Sequence, residues 1–148
     1  MTQYPRERAR SRASAKKAGT AFETTIARYL AEHVDDRIER RARTGRKDRG
    51  DLSGVRAPGG GRVVIEAKNV SRTNLAGWAA EAETERGNDD ALAGMVVHKR
   101  HGVADPGAQW VTLTLADLAA ILSGTRPDPD DGHILDVAAG STGNADNS

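Results

Sequence analysis

One segment constrains the fold of this chain more than any other: residues 62–68, RVVIEAK, with β-branched side chains through the middle and charges closing it at Glu66 and Lys68. Side chains alternate across a strand, so Val64, Glu66 and Lys68 share one face while Val63, Ile65 and Ala67 fill the other. A small domain rarely sets a carboxylate and an ammonium on so apolar a strand unless they meet solvent, each other or a ligand. Upstream, residues 51–55 read as a short strand and residues 57–61 (APGGG) as a turn by composition. Two strands joined by a short Gly-rich turn make an antiparallel hairpin, which lets Asp51 approach Glu66.

Around this hairpin the remaining elements follow from periodicity. Phe22, Ile26, Tyr29, Leu30 and Val34 recur at helical spacing and predict a helix over residues 16–33, with Glu23 beside Phe22. Residues 37–43, with Ile38 their strong strand former, read as an edge strand, and residues 44–50 as a flexible stretch. A second helix over residues 73–87 puts Leu75, Trp78, Ala79 and Ala82 on one face; Trp78 belongs there to the core or to a dimer interface. Strands over residues 92–98 and 110–113 and a last helix from Thr114 through Leu122 complete the order α-β-β-β-α-β-β-α. Strands grouped around one crossover helix imply an α/β fold with a mixed sheet flanked by helices. The folded domain is expected at residues 16–122, between a disordered basic arm (residues 1–15) and an acidic, mostly disordered tail (residues 123–148).

A chain of 148 residues suits one domain, which at this size buries roughly two thirds of its unfolded surface. It has no cysteine, so disulfides and thiolate metal sites are excluded and any metal must be held by oxygen or histidine. His33, His98, His101 and His133 lack zinc-like spacing, and none is assigned to a metal. No membrane span or signal peptide is expected, which with the missing cysteines suggests a cytoplasmic location. The net charge of +1 hides an asymmetry: residues 1–49 carry 14 Lys/Arg against 7 Asp/Glu, residues 50–100 carry 7 of each, and residues 101–148 carry 1 against 7. A basic first third points to a polyanion, nucleic acid above all, or else to an ordinary solvated surface.

Two carboxylates brought together repel, and a divalent cation relieves that repulsion. Asp51 and Glu66 suit Mg²⁺ (with Mn²⁺ as a substitute), which takes one or two carboxylates, waters and phosphate oxygens. Lys68 would stabilise charge on a phosphate under attack or orient the attacking water. The blander alternative is a cross-strand salt bridge on an exposed sheet face. Arg41, Arg43, Arg46, Lys47, Arg49, Lys99 and Arg100 are candidate phosphate contacts or plain surface charge. Glu81, Glu83 and Glu85 read as a solvated helix face, or, more sharply, Glu81 or Glu83 orients Lys68 or serves a second metal.

These segments together resemble the PD-(D/E)xK nuclease superfamily, and within it the archaeal-type Holliday-junction resolvases and their phage relatives. The matching stretches are residues 19–23 (GTAFE), 50–55 (GDLSGV), 63–68 (VVIEAK) and 95–100 (MVVHKR). The resemblance implies a restriction-endonuclease-like fold, with Asp51, Glu66 and Lys68 as the motif and Glu23 as a helix-borne acid completing the metal site. It places the family's loop hydroxyl at Thr44 and implies a homodimer that cuts four-way DNA junctions in recombination, repair or phage DNA processing. Two positions depart from the pattern: Gly50 stands where the motif has proline, and Thr24 where a basic residue often follows the helix acid. Another nuclease of the superfamily, acting in restriction or repair, and a non-catalytic DNA-binding module are the alternatives.

Overall fold

A computed structural model describes residues 11–42 and 49–128. Helix α1 (Arg12–His33) starts at Ser11, whose hydroxyl accepts the amide of Ser14 at 3.2 Å. It begins four residues before residue 16, inside the segment expected to be a disordered arm. Residues 11–17 are all exposed, so this first part leaves no apolar period to read, although Ala13, Ala15, Lys16 and Lys17 are good helix formers. From there Phe22, Ile26 and Ala27 turn inward. Residues 1–10 of the arm lie outside the described residues.

The expected edge strand contracts to β1 (Glu39–Arg40), exposed on both residues, with Ile38 just before it as the buried anchor. It pairs antiparallel with β2 (Leu52–Ser53). β2 leads through the glycine turn into β3 (Val63–Lys68), held by Val63 N–H to Val55 C=O at 3.0 Å and Asp51 N–H to Ile65 C=O at 2.9 Å. Between those two bonds four steps along one strand face two along the other, so residues 52–54 bulge, with Gly54 at φ +80°.

Helix α2 (Leu75–Asn88), capped by the Asn74 side chain, carries the chain across to β4 (Ala93–His98). β4 runs parallel to β3 in full register, from Val63 opposite Ala93 to Lys68 opposite His98. β5 (Trp110–Thr112) is antiparallel on the far side of β4, and α3 (Leu115–Ser123) closes the order between Thr114 and a left-handed Gly124. The fold is therefore mixed α/β, with three helices, a two-stranded sheet and a mixed three-stranded sheet among the described residues. No helix among them is long and apolar enough to cross a membrane.

The strand alternation divides the core. Phe22, Ile26 and Ala27 of α1 cluster with Val63, Ile65 and Val97, while Trp78 and Ala82 of α2 cluster with Val96 on the other face. Gly94 lets α2 come this close: a Cβ there would lie 2.9 Å from the Ala82 carbonyl oxygen. Trp78 is 7% exposed, so its side chain is spent on the core of this chain and does not offer a dimer interface; Leu75, expected on the same face, is 44% exposed. The domain also runs past residue 122. Arg126, placed in the tail by its neighbours' composition, binds Asp117 Oδ1 at 2.6 Å and the Leu92 carbonyl at 3.2 Å. Residues 129–148 lie outside the described residues.

Candidate active site on the β2–β3 hairpin

Asp51 is positioned by the glycine before it. Gly50 sits at φ +90°, and a Cβ there would lie 2.9 Å from Val64 Cγ1 and 3.0 Å from the Ile65 carbonyl oxygen. Glycine is thus required by both conformation and space, and proline, whose ring locks φ near −65°, cannot hold this geometry. The chain then lies against β3. Asp51 C=O accepts the Arg41 amide at 2.7 Å, and Asp51 Oδ2 accepts the amide of Ala67 at 2.8 Å. The carboxylate is therefore fixed beside the residue that follows Glu66, and only 4% of Asp51 is exposed.

Glu66 is equally buried, at 4%, on the face covered by α2. Two residues on, Lys68 Nζ lies 3.4 Å from Glu66 Oε1 and donates to Glu81 Oε2 of α2 at 2.5 Å. Burial works to lower the ammonium's pKa, but the bond to Glu81 and the charges of Glu66 and Glu81 outweigh it, and the pKa is raised. Lys68 is accordingly a cation at any physiological pH. Asp51 thus stands at the β3 backbone next to Glu66, and Lys68 contacts Glu66 on that same strand.

The three acids of α2 do not behave alike. Glu81 joins Lys68; Glu83 is exposed and binds Arg86 at 2.6 Å and Arg126 at 3.4 Å; Glu85 is buried at 5%. Glu81 and Glu83 are both exposed and differ in their partners, whereas Glu85 departs from the solvated-face expectation. Glu85 stands seven residues after Trp78 and shares its inward stripe with Ala82, which is the signal that could have separated it from Glu81 and Glu83. Beside them opens a cleft of about 320 Å³ lined by Gly77, Ala80, Glu81, Thr84, Glu85 and Asn88.

The donors present decide whether a divalent cation fits. Asp51, just before β2, and Glu66 on β3 carry hard carboxylate oxygens of the kind that would hold a Mg²⁺ ion, with water and phosphate as its remaining ligands. Glu23 does not complete them. It stands on α1, which packs on the opposite face of β3 from Glu66, and its Oε2 lies 3.4 Å from Arg40 Nη1. Among the described residues, no group of three or more carboxylates and imidazoles is placed to hold one ion.

The candidate phosphate contacts separate in the same way. Arg43, Thr44, Arg46 and Lys47 lie outside the described residues. Arg49 is exposed, with its carbonyl held by Arg41 Nη1 at 3.0 Å. Lys99 is half-buried with its ammonium on the Val103 carbonyl, and Arg100 stacks over Trp110 at 4.5 Å from the ring centroid. Trp110 itself is 50% exposed, an aromatic surface that no periodicity marked out. His98, opposite Lys68, packs 5.2 Å from Trp78 and shares a 2.8 Å hydrogen bond with Thr112 Oγ1; burial lowers its pKa, so the ring is neutral near pH 7. No family model, curated protein or solved structure matches the chain.

Proposed function

We propose that this protein is a metal-dependent endonuclease that hydrolyses DNA phosphodiesters, selective for DNA structure and acting on four-way junctions in the cytoplasm of a bacterium or phage-infected host. The observation that carries the reading is the placement of two buried acids on one hairpin, Glu66 beside the Lys68 ammonium and Asp51 on the amide between them. Burying two carboxylates is costly, and acids kept at such a place suit a ligand that offsets their charge. They make a good receptor for a cation and the phosphate it binds.

In this reading Asp51 and Glu66 hold a Mg²⁺ ion, which when bound polarises the phosphate and activates water. Asp51 is kept rigid by the Ala67 amide, Glu66 by burial under α2, and the Lys68 ammonium donates a hydrogen bond to a substrate oxygen as charge builds there. The restriction-endonuclease-like fold, the junction preference and the homodimer rest on the resemblance of the motif segments. A junction has approximate two-fold symmetry, and an isologous pair of chains presents two sites related by the same symmetry.

A second reading has its own support: with no third ligand among the described residues, the site also suits a DNA-binding module whose acidic pair serves the fold. Labelled junction, flap, duplex and single-stranded DNAs incubated with Mg²⁺ decide between them. The nuclease cuts at least one and is silenced by chelator; the resolvase nicks junctions in symmetric pairs and runs as a dimer in light scattering. Binding without cleavage of any form would establish the module.

A further inference from the structure

We infer that Glu81 is a positioning residue for Lys68, an inference that rests on the nuclease reading above. An ammonium has three protons to donate. Glu81 takes one at 2.5 Å, Glu66 faces another at 3.4 Å, and a third remains for a substrate oxygen. Without Glu81 the flexible lysine has one anionic partner left among the described residues, the Glu66 carboxylate two residues away on its own strand. It would settle there and neutralise the acid that a cation needs. The shorter contact draws the ammonium off Glu66 and toward the cleft beside α2. The helix is a firm base for this, because Ala82, the next residue, packs its carbonyl against Gly94 of β4. Glu81's own side chain is 52% exposed, so its replacement leaves the core intact.

The test is a double-mutant cycle in single-turnover cleavage of whichever DNA the wild-type chain cuts best, with affinity for that DNA measured separately in Ca²⁺. Glu81→Gln is expected to slow cleavage about tenfold, the scale of one charge-assisted hydrogen bond. DNA affinity should stay the same or tighten, since a negative charge beside the phosphate path is gone. Glu81→Asp, which keeps the charge on a shorter arm, should fall between. In a Lys68→Ala background, Glu81→Gln should cost nothing further, because a residue acting through another has no effect once that other is removed.

Cleavage by Glu81→Gln at or above the wild-type rate overturns the inference, and so does an equal fractional loss with and without Lys68. Should Lys68→Ala be too slow to follow, Glu81→Gln alone decides: a lower rate with affinity retained supports the role, and a normal rate refutes it. A wild-type chain that cuts no DNA fails the nuclease reading itself. Loss of activity on Lys68→Ala with none on Glu81→Gln fails only this assignment.

Discussion

Replacing Gly50 tests the geometry on which the site depends. An alanine at φ +90° pays about 1–2 kcal/mol for a left-handed backbone. Its Cβ would also meet Val64 Cγ1 at 2.9 Å and the Ile65 carbonyl oxygen at 3.0 Å. Val64 is 1% exposed and the carbonyl belongs to the β3 backbone, so neither can yield cheaply. Overpacking of this kind costs about 1–3 kcal/mol. Against these stands about 0.4–1 kcal/mol gained because alanine restricts the unfolded chain. The net for Gly50→Ala is a loss of roughly 1–4.6 kcal/mol, and Gly50→Pro should lose more because its φ is fixed on the wrong side. Urea unfolding followed by far-ultraviolet circular dichroism gives the difference directly from the midpoints at constant slope. Relief of the clash moves Asp51 away from β3, so cleavage should fall with stability, even at temperatures where the variant is folded. A Gly50→Ala chain within about 0.5 kcal/mol of wild type, the range of a neutral surface change, would refute the argument.

Asp51→Asn, Glu66→Gln and Lys68→Ala should each lower cleavage by orders of magnitude with DNA binding nearly intact, since the groups serve the transition state; a near-normal rate in any of them removes that residue from the site. Asp117 supplies a pH dependence. Burial works to raise its pKa, yet hydrogen bonds from Thr114, Arg126 and Gly94 win and the pKa is lowered. A depressed carboxyl stabilises fully above its unfolded pKa of about 4 and loses that stabilisation as pH falls through the folded value. The melting-temperature gap between wild type and Asp117→Asn should therefore be widest near neutrality and close in acid; a constant gap contradicts this. Deleting residues 1–10 removes Arg6, Arg8 and Arg10, and should reduce the slope of log K against log salt for duplex DNA by up to about 2.7, at roughly 0.9 for each phosphate contact. An unchanged slope means that the arm does not touch DNA.

The strand carrying Glu66 and Lys68 was legible because β-branched residues run through its middle, and the hairpin because a glycine turn precedes it. The element order followed because each segment has its own local period. What escaped was whatever depends on a partner far along the chain. The first turns of α1 bury nothing, so their helix rests on Ser11 and good helix formers, without a stripe to read. Arg126 looked like tail because its neighbours are Pro, Asp and Gly; its place is set by Asp117, nine residues back, and by Leu92, thirty-four back. Within the site, Asp51, Glu66 and Lys68 came from strand geometry: Lys68 contacts Glu66, and Asp51 holds the amide that follows Glu66. Glu23 came from resemblance alone, and its helix lies across the sheet from Glu66.

The packing of Trp78 also gives the molecule an optical reporter. Its indole is almost wholly enclosed by α2 and β4, 5.2 Å from the ring of His98, whereas the other indole, Trp110, is half exposed. A soluble quencher such as iodide should extinguish the red-shifted emission of Trp110 and spare the blue emission of Trp78. What remains comes from the seam between α2 and the sheet, one turn along the helix from Glu81. A cation or DNA that shifts α2 would change that residual signal, so binding at the hairpin can be followed in the unlabelled chain.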